Sequence, residues 1–233
     1  MKIGILNADT VELPGATEFG QYPEMFSKIF LAIDPTIRFE TYEVQFDHYP
    51  KEINECDAYL ITGSKASAYE EISWIIKLKE FIQTLNQNKK KLIGICFGHQ
   101  IVAEALGGSV KNSSKGWHVG VDSISLFKKE FEFGYEGRQF NLIFSHQDEV
   151  VKLPESAKLI AGSIICPNGM YIIEDHMLCT QGHIELQKDF AKLIYDFRKN
   201  QIGDAKYLNA CKTLIHETDE LVVVKVILKF LKN

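Results

Sequence analysis

The stretch Lys91-Leu92-Ile93-Gly94-Ile95-Cys96-Phe97-Gly98-His99-Gln100 decides the reading of this chain. Its first five residues form a short apolar run with a β-branched bias, the pattern of a buried strand. Phe97 to Leu106 then carries apolar residues at helical spacing. Cys96 stands on the turn between them, with Gly94 and Gly98 on either side, which is the pattern of a nucleophile elbow. Such a turn is too sharp for side chains at the flanking positions. It lifts the sulfur above the sheet, at a helix N-terminus that favours negative charge. Cys96 is therefore the candidate nucleophile.

Strand-like and helix-like segments alternate on the N-terminal side of this turn. Lys2 to Leu6 reads as a strand, Glu18 to Ile33 as a helix, Arg38 to Phe46 as a strand and Ala58 to Thr62 as a short buried one. Ile72 to Leu85 is a helix with Trp74, Ile75, Leu78, Phe81, Ile82 and Leu85 on one face. The β-α-β-α order predicts an α/β fold with a mostly parallel central sheet flanked by helices. From Val119 to Thr180 the pattern changes to strands and turns at 122–127, 140–144, 159–162, 170–174 and 177–180, predicting additional short antiparallel strands. Helices return after Glu185, with Phe190, Leu193, Ile194 and Phe197 at helical spacing, and Thr218-Asp219-Glu220 caps a terminal helix. With no repeat, low-complexity tract or linker, residues 1–233 are expected to form one domain.

Composition narrows the function. The chain has 45% hydrophobic and 24% charged residues, a net charge of -5 and a pI of about 5.8. No basic stripe marks a nucleic-acid partner, and no apolar run reaches membrane-spanning length. The five cysteines (56, 96, 166, 179 and 211) show no paired spacing, so neither a disulfide framework nor a metal site is expected, and a reducing cytoplasm is the default. No GxxxxGK[ST] or GxGxxG loop is present, so no cofactor is implied.

A cysteine nucleophile needs a base, and the base needs an orienting acceptor. His183 ends an apolar run at Gln181-Gly182-His183-Ile184-Glu185, and Glu185 points the same way if the backbone stays extended. His146, with Asp148 two residues on, is the rival base. His99 reads as a packing residue, and His48, His176 and His216 as surface. His118 fits either a surface loop or a pocket rim. The remaining cysteines read as structural.

At this point the chain resembles the class I glutamine amidotransferase family, of flavodoxin-like fold. Gly94-Ile-Cys96-Phe-Gly98-His-Gln100 matches its nucleophile motif, and Gln181-Gly-His183-Ile-Glu185 is similar to its His-Pro-Glu motif. Leu60-Ile-Thr-Gly63-Ser64 resembles its glycine-rich loop, and Phe144-Ser145-His146-Gln-Asp148 the Ser-His-Gly-Asp segment of amidotransferase domains of the GMP synthase type. Gly20-Gln-Tyr22-Pro-Glu-Met25-Phe26 adds a weaker likeness. The resemblance implies Cys96, His183 and Glu185 as the catalytic set, with no cofactor. It implies backbone N–H groups of Phe97 and of Gly63 or Ser64 as the oxyanion hole, and Gln100, Ser145 and His146 as substrate-binding residues. Two departures stand out. Ile184 replaces the family proline, loosening the His/Glu spacing, and Gly182 replaces an aromatic, which is expected to widen the pocket there.

The resemblance implies an enzyme that releases ammonia from the glutamine side-chain amide through a γ-glutamyl thioester. Because the chain ends after its last helix, the ammonia is expected either to pass to a separate synthetase partner or to be released by simple hydrolysis. The same chemistry would serve a γ-glutamyl peptidase acting on γ-glutamyl peptides or conjugates, which is the alternative reading. A catalytically silent fold used for binding is a second one. An α/β-hydrolase fits less well, because its acid usually precedes its histidine in the chain.

Overall fold

A computed structural model describes residues 1–127, 135 and 137–233. The strands are β1 (Lys2–Asn7), β2 (Arg38–Glu43), β3 (Ala58–Ile61), β4 (Lys91–Ile95), β5 (Ser109–Asn112), β6 (His118–Leu126), β7 (Gln139–His146), β8 (Asp148–Lys152), β9 (Ala157–Gly162), β10 (Met170–Ile173) and β11 (Met177–Thr180). The helices are α1 (Tyr22–Leu31), α2 (Ser73–Gln87), α3 (Phe97–Ala105), α4 (Lys188–Phe197), α5 (Lys199–Ile202), α6 (Asp204–Thr213) and α7 (Glu220–Lys232).

The main sheet runs β2-β1-β3-β4-β11-β10-β9-β6-β7, and β5 pairs with β8 in a small separate ladder. The first five strands in that order are parallel and the rest antiparallel. The mostly parallel core with antiparallel additions is as expected, but the additions are not all short. β6 and β7 pair over eight residues, from His118↔His146 to Ser125↔Gln139.

Alternation along the parallel strands explains the layering, because successive strand residues face opposite sides of the sheet. Ile3, Ile5, Ala58, Leu60, Ile93 and Ile95 pack with α1 and α7, while Leu6, Tyr59, Ile61 and Leu92 pack with α2 and α3. Both faces are therefore covered, as a parallel sheet requires. The face of α2 foreseen from spacing is the one that packs: Ile75, Leu78, Ile82 and Leu85 are buried, with Trp74 and Phe81 half-buried beside them.

Several boundaries differ from the sequence reading. The first helix starts at Tyr22 rather than Glu18, because Gly20 turns the chain at φ +77° and Pro23 opens the helix. The Gln21 N–H donates to Glu24 Oε2 at 2.9 Å, closing that start. The second strand stops at Glu43, where a 3-10 turn over Val44–Phe46 and the left-handed Asp47 divert the chain. Phe197 fits the spacing of α4 yet is 65% exposed, since the chain turns into α5 and leaves its side chain uncovered. Asp219 precedes α7 but does not cap it through its side chain. Its carboxylate instead accepts the Asn141 N–H at 2.8 Å, tying α7 to β7.

Glycine is required where β4 meets α3. A Cβ on Gly98 would lie 2.5 Å from the Ile61 carbonyl oxygen, and one on Gly94 would lie 2.6 Å from the Gly98 carbonyl oxygen. Backbone cannot yield there. Gly98→Ala is therefore expected to destabilise the fold by about 1–3 kcal/mol through overpacking, more than the gain in helix propensity of at most about 1 kcal/mol. A lowered denaturant midpoint measures this, and an unchanged midpoint contradicts it.

Candidate active site

The C-terminal ends of β1, β3, β4 and β11 meet at one edge of the sheet, where open α/β sheets build their sites. Parallel pairing of β11 with β4 sets Thr180 beside Ile95, so the segments that follow, Cys96 and Gln181–Glu185, leave the sheet side by side. The Cys96 N–H donates to the Thr180 carbonyl at 3.0 Å. Cys96 is the residue before α3 and adopts φ 54°, ψ -101°, a conformation unfavourable for any side chain. Phe97 opens α3, so its N–H belongs to the unpaired donors of a helix start.

His183 reaches the same place from the other segment. Its backbone N–H donates to the Ile143 carbonyl of β7 at 2.8 Å, and its Nδ1 lies 2.7 Å from Glu185 Oε1. Nε2 makes no well-formed hydrogen bond, and the Cys96 sulfur beside it is close enough to act on the ring. Gly63 closes the group from β3: a Cβ there would sit 3.3 Å from His183 Cε1 and 3.8 Å from Cys96 Cβ. Burial alone would lower the pKa of His183. The Glu185 carboxylate and the Cys96 sulfur outweigh it and raise the pKa to about 10.

That shift has a consequence for stability. The folded protein holds the His183 proton more tightly than the unfolded chain, whose histidines titrate near about 6.5. The contribution is therefore complete below that pH and is lost as the pH rises to about 10. The stability gap between wild type and His183→Gln should narrow over this range in denaturant melts, and a gap that widens contradicts the assignment.

The Ile184 departure has a physical compensation. Its backbone N–H donates to Glu185 Oε2 at 3.1 Å, a bond that proline could not make. Both carboxylate oxygens of Glu185 are thus engaged, one by the ring and one by the backbone. Gly182 does not widen the pocket. A Cβ there would lie 2.7 Å from Leu142 Cδ1 and 3.2 Å from Phe144 Cζ, so β7 side chains already fill that space.

A cavity of about 150 Å³ lies over the cysteine, and its lining includes Ser64, Cys96, Gln100, Ser145, His146 and Arg198. Every residue expected to bind substrate therefore borders the same space as the thiol. Gln100 spends its amide nitrogen on the Asp148 carbonyl (2.9 Å) and Gln181 Oε1 (3.0 Å). His146 donates from Nδ1 to the Asp148 carbonyl, and its Nε2 lies 3.1 Å from His118 Nδ1. It is thus less free than His183 to exchange a proton. A larger cavity of about 800 Å³ opens on the far side of Glu185 between α1 and the start of α7, and Cys96 does not line it.

Other assignments change. His118 is buried, and so is His176, whose ring is held against Asn86 Oδ1 at 2.8 Å beneath the end of α2 rather than lying at the surface. His99 is buried against the Asn168 carbonyl, consistent with packing, and burial lowers its pKa to about 4. Two residues of the cavity wall, Arg198 and Trp117, escaped the sequence reading, as did Tyr22 near Glu185. The Arg198 guanidinium lies over the Trp117 ring at 5.3 Å and donates to Ser145 Oγ at 3.3 Å. Tyr22 is near enough to Asp9, Glu185 and Cys96 for their charges, added to burial, to raise its pKa. None of these three residues carries a local motif. Only the weak likeness around Tyr22 hinted at one.

The sequence profile described as "Glutamine amidotransferase class-I" matches residues 23–196, most of the chain and both halves of the site. The chain belongs to the class-I glutamine amidotransferase family. Among its relatives, "Gamma-glutamyl peptidase 3" of Arabidopsis thaliana is 34% identical over 207 residues, covering 84% of this chain and 83% of that protein. A glutamine-hydrolysing GMP synthase subunit of Saccharolobus solfataricus is 32% identical over 122 residues, 52% of this chain and 63% of the relative. The crystal structure of a Thermotoga maritima glutamine amidotransferase superposes with a TM-score of 0.75 at 20% identity, over 99% of this chain and 96% of that one. At that identity the likeness concerns the fold. Among the described residues, no helix is long and apolar enough to cross a membrane.

Proposed function

We propose that this family member is a γ-glutamyl peptidase, hydrolysing the amide between a γ-glutamyl group and an amine or amino acid through a Cys96 thioester. The observation that carries this reading is the similarity to a γ-glutamyl peptidase over more than four-fifths of both chains. The likeness to a glutamine-hydrolysing GMP synthase subunit covers about half of this one. The expectation of glutamine itself as preferred substrate gives way to the alternative on that ground.

The thiolate of Cys96 attacks the γ-carbonyl carbon, and the carbonyl electrons move onto oxygen. Backbone N–H groups of Phe97 and of Gly63 or Ser64 receive that oxyanion; one such donor is typically worth about 2.7–4 kcal/mol of barrier. His183, carrying a proton on Nε2 and held through Nδ1 by Glu185, protonates the departing nitrogen as the C–N bond breaks. Water then adds to the thioester with His183 taking its proton, and the C–S bond breaks, releasing the glutamyl acid and restoring the Cys96 thiolate beside protonated His183. Gln100, Ser145 and His146 line the substrate space. The cations of Arg198 and Lys65, both on the cavity wall, suit the carboxylates of a γ-glutamyl peptide.

A substrate comparison tests the reading. The kcat/KM for a γ-glutamyl dipeptide should exceed that for free glutamine by at least about tenfold, equivalent to about 1.4 kcal/mol of differential transition-state binding. A preference for glutamine returns the enzyme to the amidotransferase role, and no turnover of either favours a silent binding fold.

A further inference from the structure

A second cluster of reactive side chains lies in the wall beside the cysteine cavity. His118 on β6, His146 on β7 and Cys166 in the turn between β9 and β10 are all buried, and their ligand atoms lie within 4.8 Å of one another. The hydrogen bonds around the two rings fix their tautomers. The Asp148 carbonyl can only accept, so His146 Nδ1, at 2.8 Å, is the donor. The Asp122 carboxylate can only accept as well, so His118 Nε2, at 2.9 Å, donates to it. When both rings are neutral, these bonds leave the lone pairs of His118 Nδ1 and His146 Nε2 facing each other across 3.1 Å. Lone pairs at that distance repel, and a cation shared between them removes the conflict.

The surroundings favour a metal over a proton. Imidazoles that bind metals usually give their other N–H to a carboxylate or a backbone carbonyl, and here one ring does each. Two nitrogens on a tetrahedral zinc, each at about 2.0–2.1 Å, stand roughly 3.3 Å apart, close to the spacing here. A sulfur within reach supplies a soft third donor. We propose that His118 Nδ1, His146 Nε2 and Cys166 Sγ bind one zinc-class divalent cation, with a fourth position left for water or a small ligand. Binding breaks the Cys166 S–H bond, sends the proton to solvent and forms a metal–sulfur bond, with no change of oxidation state. The ion would clamp β6, β7 and the turn around Cys166 together beside the substrate space.

The test uses the full chain carrying Cys96→Ala, so that the nucleophile cannot serve as a ligand, after treatment with a chelator. Titration with cobalt(II) should saturate at one equivalent, with visible bands of a tetrahedral ion and a thiolate-to-cobalt charge-transfer band in the near ultraviolet. Zinc should displace the cobalt and raise Tm. Cys166→Ser in the same background should lose the charge-transfer band, and Asp122→Asn should weaken zinc binding by about 10–100-fold while keeping it. Absence of the band at one equivalent, or its survival in Cys166→Ser, overturns the proposal. So does a nitrogen NMR spectrum with a proton between the two rings that zinc leaves unchanged. None of these readouts depends on the peptidase activity.

Discussion

Cys96→Ala is expected to lower kcat/KM on γ-glutamyl peptides by about 10⁴- to 10⁶-fold, the scale seen when a nucleophile is removed from a catalytic unit. Stability should change little, because the side chain is short and borders a cavity. The strained backbone at this residue supplies a sharper comparison. Cys96 has a positive φ of 54°, and such a conformation costs a non-glycine residue about 1–3 kcal/mol. Cys96→Gly should therefore be more stable than Cys96→Ala by about 1–2 kcal/mol, the reverse of the usual order beside a helix. Both variants should lack the covalent adduct that wild type forms with a glutamine-derived electrophile, read by mass spectrometry. Residual turnover near the wild-type level in either would remove Cys96 from the mechanism.

The second large effect separates the two histidines. His183→Asn should cost about 10⁴-fold in kcat, comparable to disrupting the base or its orienting acid in a serine triad. His146→Asn should act chiefly on KM, because that ring borders the substrate space and its nitrogens lie against the Asp148 carbonyl and His118. Steady-state kinetics with one γ-glutamyl dipeptide decides between them. If His146→Asn abolishes kcat while His183→Asn spares it, the base has been assigned to the wrong ring. Glu185→Gln belongs to the same comparison: an amide keeps the size and one acceptor oxygen but gives up the charge that raises His183.

The elbow was legible because everything it needs is local: a β-branched run, two glycines and a helical spacing within sixteen residues. Gly94 and Gly98 are demanded by backbone contacts so close that no other residue fits, and that demand is written directly in the sequence. The alternation that assigns Ile3, Leu60 and Ile93 to one face and Leu6, Tyr59 and Leu92 to the other is equally local. Less legible were the ends of elements. Gly20 and Pro23 shortened the first helix, and Asp219, placed like a cap, spent its carboxylate on a strand that lies far away in the chain.

The sequence by itself determined that a cysteine would stand on a strand-to-helix turn, that a parallel sheet would carry it, and which His-x-Glu pair could serve it. Only the tertiary structure decided that β11 lies beside β4, so that residues 96 and 183 emerge together, and that the Ile184 N–H replaces the rigidity of a proline. It alone brought Arg198 and Trp117 to the cavity, filled the space beside Gly182, and collected His118, His146 and Cys166 from three separate segments. The physical reason is range. Turn chemistry and side-chain periodicity act over a few residues, whereas meetings between distant side chains depend on strand order and register, which the pattern along one segment does not encode.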